Sequence, residues 1–131
     1  MDRLFLDANV LFSAAYKPDA RVLRLWRLEN VVLCSSRYAL EEALVNLAEE
    51  IQRRRLSQLI GKLQLYDPSE RPFPRGITLP EKDEPILLAS IEARADYLLT
   101  GDFRHFGPYF GKRIEGVVIA SPAYYLKIRG R

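Results

Sequence analysis

The chain has 131 residues, enough for one ordinary domain with its own hydrophobic core, and we expect a single domain over residues 1–131. Hydrophobic residues make up 48% of it and charged residues 28%, which argues against disorder, and no apolar run is long enough to span a membrane. The formal charge of +3 permits a polyanionic partner without requiring one, and the single cysteine, Cys34, excludes an internal disulfide.

In the first half of the chain, short apolar runs alternate with helical patterns of apolar residues. The predicted elements are, in order, a strand over 3–6, helices over 8–15 and 20–29, a strand over 31–34, and helices over 37–54 and 56–63. In the second helix, Arg21, Arg24 and Arg27 form a polar stripe that is most simply a solvated face. Ser35 and Ser36 precede the third helix as its cap.

The second half continues the alternation after a surface loop over 67–76 that contains three prolines. Its predicted elements are a helix over 83–95, strands over 97–100 and 116–119, and a helix that begins at 121. Short, fully apolar strands that alternate with helices predict an α/β domain with a mainly parallel sheet, buried on both faces.

Two carboxylates stand where apolar strands end. Asp7 interrupts the apolar segment LFLDANVLFSA, and Asp102 follows the strand LLTG in the same way. Ligands of open parallel sheets bind at the carboxyl ends of the strands, so we expect both acids at one edge. Two like charges 4 Å apart repel by roughly 1 kcal/mol even in water, and by more in a partly buried site. The pattern therefore predicts a cation between them.

Three further positions can contribute to such a site, and each has an alternative interpretation. Asp83 stands at the start of a predicted helix, where it can cap the backbone, bind the cation, or do both with its two oxygens. Glu41 and Glu42 lie one turn into an amphipathic helix, where most glutamates are solvated. His105 follows Asp102 by three residues and can contact a substrate phosphate or transfer a proton, although a histidine near a turn is more often structural.

The segments that carry these acids resemble those of the PIN-domain ribonucleases, a family that includes the VapC-like toxins of toxin–antitoxin pairs. The resemblance rests on four motifs that occur in order: LFLDANVLFSA, SSRYALEEALVNL, LPEKDEPILLASIEARADYLLTGDFRHFG and GVVIASPAYYL. It implies a Rossmann-like three-layer α/β/α fold, a Mg²⁺ or Mn²⁺ site, and metal-assisted hydrolysis of RNA. It also implies an antitoxin as a protein partner.

The resemblance assigns roles to individual residues. The four carboxylates that it implies as catalytic residues and metal ligands are Asp7, Glu42, Asp83 and Asp102. Glu42 fits better than Glu41 because a small or aliphatic residue, here Ala43, usually follows the family's glutamate. Asn9 matches the polar residue two positions after the first aspartate, and Thr100 matches a nearby hydroxyl group.

Some members carry a further aspartate after the Thr-Gly-Asp turn, and here residues 103–105 are Phe-Arg-His, so the number of metal ions, one or two, stays open. An acidic site also needs basic side chains near it to hold RNA. The candidates for phosphate contacts are Arg53, Arg54, Arg55, Arg104, Lys112, Arg113, Lys127, Arg129 and Arg131.

Three alternatives compete with a nuclease. A response-regulator receiver needs a phosphoacceptor aspartate at a mid-chain strand end and a later strand-end lysine, and neither is visible. A phosphatase of the haloacid dehalogenase type needs a second aspartate two positions after the first, and that position is Asn9. A PIN domain that has lost cleavage and serves as an RNA-binding or protein-interaction module is the stronger competitor, and the retained acids argue against it. We also expect a cytoplasmic protein, because no secretory signal is recognisable, and a homodimer formed through helices.

Overall fold

The computed structural model describes residues 1–129, and Arg131, one of the predicted phosphate contacts, lies outside this range. The strands are β1 (Asp2–Leu6), β2 (Val31–Ser35), β3 (Gln64–Leu65), β4 (Tyr97–Leu99), β5 (Arg113–Ile114) and β6 (Val117–Ala120). The α-helices are α1 (Ala8–Tyr16), α2 (Arg37–Asn46), α3 (Glu50–Leu59), α4 (Glu84–Glu92) and α5 (Pro122–Arg129). Short 3₁₀ helices cover Arg21–Arg27, Ile60–Lys62, Glu81–Asp83 and Gly107–Tyr109.

The six strands form one sheet in the order β3-β2-β1-β4-β6-β5. All neighbouring strands are parallel except β5, which pairs antiparallel with β6. Leu4, Phe5 and Leu6 of β1 are fully buried, although successive side chains point to opposite faces, so helices must cover both faces of the sheet. The predicted α/β fold with a mainly parallel sheet is thus confirmed.

Because β1, β2, β4 and β6 run in the same direction, their carboxyl ends lie at one edge of the sheet. Backbone hydrogen bonds continue one residue past the strands: the N–H of Asp7 donates to the carbonyl of Leu99, and that of Thr100 donates to the carbonyl of Ala120. These bonds fix the residues that follow β1 and β4 beside one another.

The predicted helix over 37–54 is wrong, because α2 ends at Asn46 and α3 begins at Glu50. Side chains satisfy the backbone groups that the break exposes. The Asn46 amide donates to the carbonyl of Glu42, and Arg53 Nε donates to the carbonyl of Leu47. Local side-chain bonds of this kind compete with a continuous helix, and an apolar stripe does not reveal them.

Two other differences concern short elements. The predicted helix over 20–29 is a 3₁₀ helix over Arg21–Arg27, with three residues per turn instead of 3.6. Strands β3 and β5 were not predicted, because two residues are too few to show a periodic pattern. Among residues 1–129, no helix has both the length and the apolar character needed to cross a membrane.

Candidate active site

Asp7 is the first residue after β1 and is only 4% exposed. Its Oδ1 accepts a hydrogen bond of 2.6 Å from the N–H of Ala8, at the start of α1. Its Oδ2 accepts hydrogen bonds from the Thr100 hydroxyl at 2.8 Å and from the Asn9 amide at 3.2 Å. The buried carboxylate that the sequence singled out is therefore held in a fixed orientation, and it also caps α1.

Burial raises the pKa of the Asp7 carboxyl to about 6, although the hydrogen bonds from Thr100 and Ala8 lower it. The nearby charges of Asp83 and Glu42 add a smaller upward shift. A bound cation would offset both effects, because a nearby positive charge favours the ionised form of a carboxyl group.

Asn9 and Thr100 connect the ends of β1 and β4. The Asn9 amide donates to the Thr100 hydroxyl at 3.2 Å, and Asn9 Oδ1 accepts from the N–H of Gly101 at 2.7 Å. The Thr100 hydroxyl also accepts from the N–H of Asp102 at 3.0 Å. This network orders the turn that carries Asp102 relative to Asp7.

Asp83, Asp102 and His105 form a second group beside Asp7. Nδ1 of His105 lies 2.8 Å from Oδ2 of Asp102 and 3.0 Å from Oδ2 of Asp83. One ligand atom from each of the three residues lies within 4.8 Å of the other two. A single cation can therefore reach all three side chains.

The carboxylate of Asp83 is 7% exposed and faces this group instead of the backbone of α4. Its side chain makes no capping hydrogen bond, because the 3₁₀ turn Glu81–Asp83 places the residue in the helical region and not in the extended conformation of a cap. The capping role considered for Asp83 is therefore wrong. Burial is the main cause that raises the pKa of Asp83.

Within residues 1–129, the buried Oδ2 of Asp83 has no partner with hydrogen-bond geometry, although His105 Nδ1 lies 3.0 Å away. Buried polar atoms are rarely left in this state. A divalent cation would satisfy this oxygen, because carboxylate oxygens are the ligands that Mg²⁺ and Mn²⁺ prefer. The residues present therefore fit a metal ion of this kind.

The two glutamates of α2 have different positions. Glu42 lines a cavity of about 520 Å³ together with the three aspartates, whereas Glu41 is exposed and does not line it. Lys82 also lines the cavity and is its one cation among residues 1–129. All four predicted carboxylates, Asp7, Glu42, Asp83 and Asp102, thus face a common space.

Most of the predicted phosphate contacts lie elsewhere. Arg53 and Arg55 donate hydrogen bonds to backbone carbonyls, Arg54 pairs with Glu50, and Arg129 donates to the carbonyl of Glu29. Arg104, Lys112 and Arg113 are exposed and do not line the carboxylate cavity. Lys127 lines a neighbouring cavity with Arg21 and Arg24.

Sequence reasoning missed Lys82, Arg21 and Arg24 as cations near the acids. Lys82 precedes Asp83 directly, and this proximity was a usable signal. The arginines were interpreted as a solvated face, because their spacing of three residues alone does not show what lies beside them.

Known proteins share sequence features and the fold with this chain. The family model described as PIN domain matches residues 3–104, while no curated protein gives a significant match. The structure of VapBC2 from Rickettsia felis bound to a DNA fragment from their promoter is similar with a TM-score of 0.62 at 18% identity, over 91% of this chain and 98% of that chain. The structure of FitAB bound to an IR36 DNA fragment gives 0.53 at 18% identity, over 91% and 94% of the chains. These structures share the fold, and the family model spans most of the sequence: the chain belongs to the PIN domain family.

Proposed function

We propose that this protein is a Mg²⁺- or Mn²⁺-dependent endoribonuclease that hydrolyses RNA phosphodiester bonds. The observation that carries the proposal is the convergence of Asp7, Glu42, Asp83 and Asp102 on one cavity. Membership of the PIN domain family supports a nuclease. In a purely structural acidic cluster, we expect every buried carboxylate oxygen to have a hydrogen-bond partner. The Oδ2 atom of Asp83 has none among residues 1–129.

The side chains have distinct roles in this proposal. Asp7, Asp83 and Asp102 are the metal ligands, and Glu42 completes the negative charge of the cavity from α2. When bound, the metal ion supplies a water of lowered pKa and offsets charge on the phosphate. Thr100 and Asn9 hold the Asp7 carboxylate in position, and Lys82 at the cavity wall contacts the substrate phosphate.

His105 lies in the segment after the Thr-Gly-Asp turn, where some members of the family carry a further aspartate. Its Nδ1 faces two carboxylate oxygens at 2.8 and 3.0 Å, so it either contacts them directly or contributes to the cation site with them. We propose the second role for the metal-bound protein, since neutral imidazole is a common metal ligand.

We further propose that the protein acts as the toxin of a toxin–antitoxin pair in the cytoplasm, and that an antitoxin is its protein partner. The support is the shared fold with VapBC2 and FitAB, whose structures were both determined with DNA. A small neighbouring gene that encodes a DNA-binding protein and forms a stable complex with this chain would bear this out. A homodimer is a separate proposal, tested by sedimentation over a range of concentrations.

The nuclease proposal is tested by incubating the purified protein with labelled single-stranded RNA in Mg²⁺, Mn²⁺ or EDTA. Cleavage should need the metal, and Asp7→Asn, Asp83→Asn and Asp102→Asn should each remove most of it. Glu41→Gln is the control, because Glu41 is on the same helix as Glu42 but outside the cavity. Cleavage that persists in EDTA and in all three variants would refute the proposal. RNA binding without cleavage would favour the inactive RNA-binding module instead.

A further inference from the structure

A second cavity, about 700 Å³ in volume, adjoins the carboxylate cavity. It lies between α1, the 3₁₀ helix Arg21–Arg27 and the first turns of α5, and we name it the basic groove. Asn9 and Gly101 line both cavities, and they are joined by a hydrogen bond of 2.7 Å. A polymer that leaves the carboxylates across these two residues therefore enters the basic groove.

The two cavities have opposite electrostatic character. Arg21, Arg24 and Lys127 line the basic groove, and no acidic side chain of residues 1–129 lines it. None of the three cations forms an ion pair with an acid in the described part of the chain. Because a 3₁₀ helix has three residues per turn, Arg21 and Arg24 lie one above the other along the groove wall. Their charges are thus available to an external anion.

Phe103 contributes a flat apolar surface to the groove. Its side chain is 64% exposed, and its ring meets Phe110 edge to face at a centroid distance of 5.1 Å. The contact supports the ring from one side and leaves much of its surface open. An exposed aromatic ring that is held in place beside cations is the arrangement on which single-stranded nucleic acids stack their bases.

We propose that the basic groove binds the single-stranded RNA segment next to the phosphate that is cleaved. Phe103 stacks on one base, and Arg21, Arg24 and Lys127 contact the flanking phosphates. The remaining apolar wall, which includes Val22 and Leu126, packs against sugar and base. A volume of about 700 Å³ is large enough to enclose a nucleotide, because pockets for drug-sized ligands span roughly 300–1,000 Å³.

This inference rests on the proposed ribonuclease function, which determines that the polymer is RNA. An acidic protein segment would also complement three cations. The RNA is favoured because its phosphate must lie at the carboxylates, and the groove that shares Asn9 and Gly101 with them is within reach of the adjoining nucleotide. A duplex is disfavoured, because its bases are stacked on each other and cannot stack on Phe103.

The test measures binding and not cleavage, so that it stays independent of the catalytic proposal. A 12-nucleotide, fluorescein-labelled RNA of mixed sequence is titrated with the full chain in EDTA, and anisotropy is recorded at several salt concentrations. Phe103→Ala should weaken binding by at least about fivefold, the lower limit for loss of one stacked base. Phe103→Tyr should bind like wild type, because tyrosine keeps a stacking ring.

The cations are tested as a set against a control set of equal charge. The groove variant combines Arg21→Gln, Arg24→Gln and Lys127→Gln. The control variant combines Lys62→Gln, Arg71→Gln and Arg94→Gln. Lys62 lines a cavity with Val31 at the start of β2, and Arg71 and Arg94 line a cavity with Asp96 just before β4. Both cavities lie at the opposite edge of the sheet from the carboxylates. The slope of log affinity against log salt should fall in magnitude by about two in the groove variant, since each phosphate contact on a single strand contributes roughly 0.7. The control variant should keep most of the slope.

The outcomes separate this inference from the catalytic proposal. The proposal that the basic groove binds RNA would be overturned by an equal loss of slope in the two charge variants. Unchanged binding by Phe103→Ala would overturn it as well. The groove would then be a surface for an acidic protein segment. Binding that depends on Phe103 and the groove cations, in a protein that never cleaves RNA, would support the groove and refute the nuclease. Melting temperatures of the variants in EDTA check that each one is folded.

Discussion

Thr100 and Asp7 are 93 residues apart in the chain, and the threonine hydroxyl donates a hydrogen bond of 2.8 Å to the aspartate. The same hydroxyl accepts hydrogen bonds from the Asn9 amide and from the N–H of Asp102. One buried side chain therefore connects the acid that follows β1 to the acid that follows β4. This connection couples the stability of the fold to the protonation of the site.

We expect Thr100→Val to lower the free energy of unfolding by about 2 kcal/mol, because it removes a hydrogen bond to a carboxylate and leaves the N–H of Asp102 without its acceptor. The loss should be larger at pH 8 than at pH 5, since the lost bond favours the ionised form of Asp7. Urea denaturation in EDTA at both pH values measures this. Thr78→Val is the control at an exposed threonine. An equal loss at both pH values would contradict the coupling.

The Asp7→Asn variant should show by how much the buried, ionised carboxylate lowers the free energy of unfolding. The pKa of Asp7 is about 6 in the fold against an ordinary 3.8, so between these values the folded state holds a proton that the unfolded state has released. The stability of the wild type therefore falls as pH rises from about 3 to 7, by about 3 kcal/mol in total, and then stays low.

The variant lacks this titration. Its free energy of unfolding relative to wild type should thus rise by about 2 kcal/mol between pH 4 and pH 7 in EDTA. Urea denaturation of both proteins at these pH values is the measurement. A difference that does not change with pH would show that Asp7 has an ordinary pKa.

We expect Glu42→Gln to lower kcat/KM for RNA cleavage by roughly tenfold or more, as loss of a side chain in or next to a metal site does. Glu41→Gln should stay within about twofold of wild type, since only Glu42 lines the cavity. The two variants differ by one position on the same helix and remove the same charge. Equal effects of the two variants on kcat/KM would mean that the total charge of α2, and not the position of the carboxylate, determines the rate of cleavage.

We expect His105→Ala to weaken Mn²⁺ binding by roughly 10- to 100-fold in calorimetric titrations, because the imidazole is one of three ligand groups that lie within 4.8 Å of one another. His105→Asn, whose amide can still reach a neighbouring carboxylate, should retain part of the affinity. Tighter Mn²⁺ binding by His105→Ala would instead show that the histidine competes with the cation for Asp83 and Asp102.

The sequence was sufficient to predict the four longer strands of the sheet and the strand-end acids, because both depend on short-range patterns. Leu4 to Leu6 read as a buried strand, and a charged residue directly after such a strand is visible without a structure. The pairing of His105 with Asp83 could not be predicted, because it depends on how the 3₁₀ turn Glu81–Asp83 aims its last side chain. Glu42 lines the cavity and Glu41 does not, while the choice of Glu42 as the functional residue stays a prediction.

The cations show the limit of the same reasoning. Arg53, Arg54 and Arg55 stood out as a run, yet they bond to backbone carbonyls and to Glu50. The arginines beside the site are spread along a 3₁₀ helix and become neighbours of Lys127 only through packing of that helix against α5. Proximity in sequence indicates charge density, and only the tertiary fold determines which charges meet a ligand.

The sheet ends on each side in a strand of two residues, β3 and β5. So short an edge offers another copy few hydrogen-bonding groups, and brief edge strands are one way in which proteins avoid growing sheets from molecule to molecule. Fibrous association by strand addition is therefore disfavoured in the folded state. Helix surfaces remain available for ordered self-association, and Val45 at 81% and Ile51 at 54% exposure are large apolar residues that α2 and α3 present to solvent.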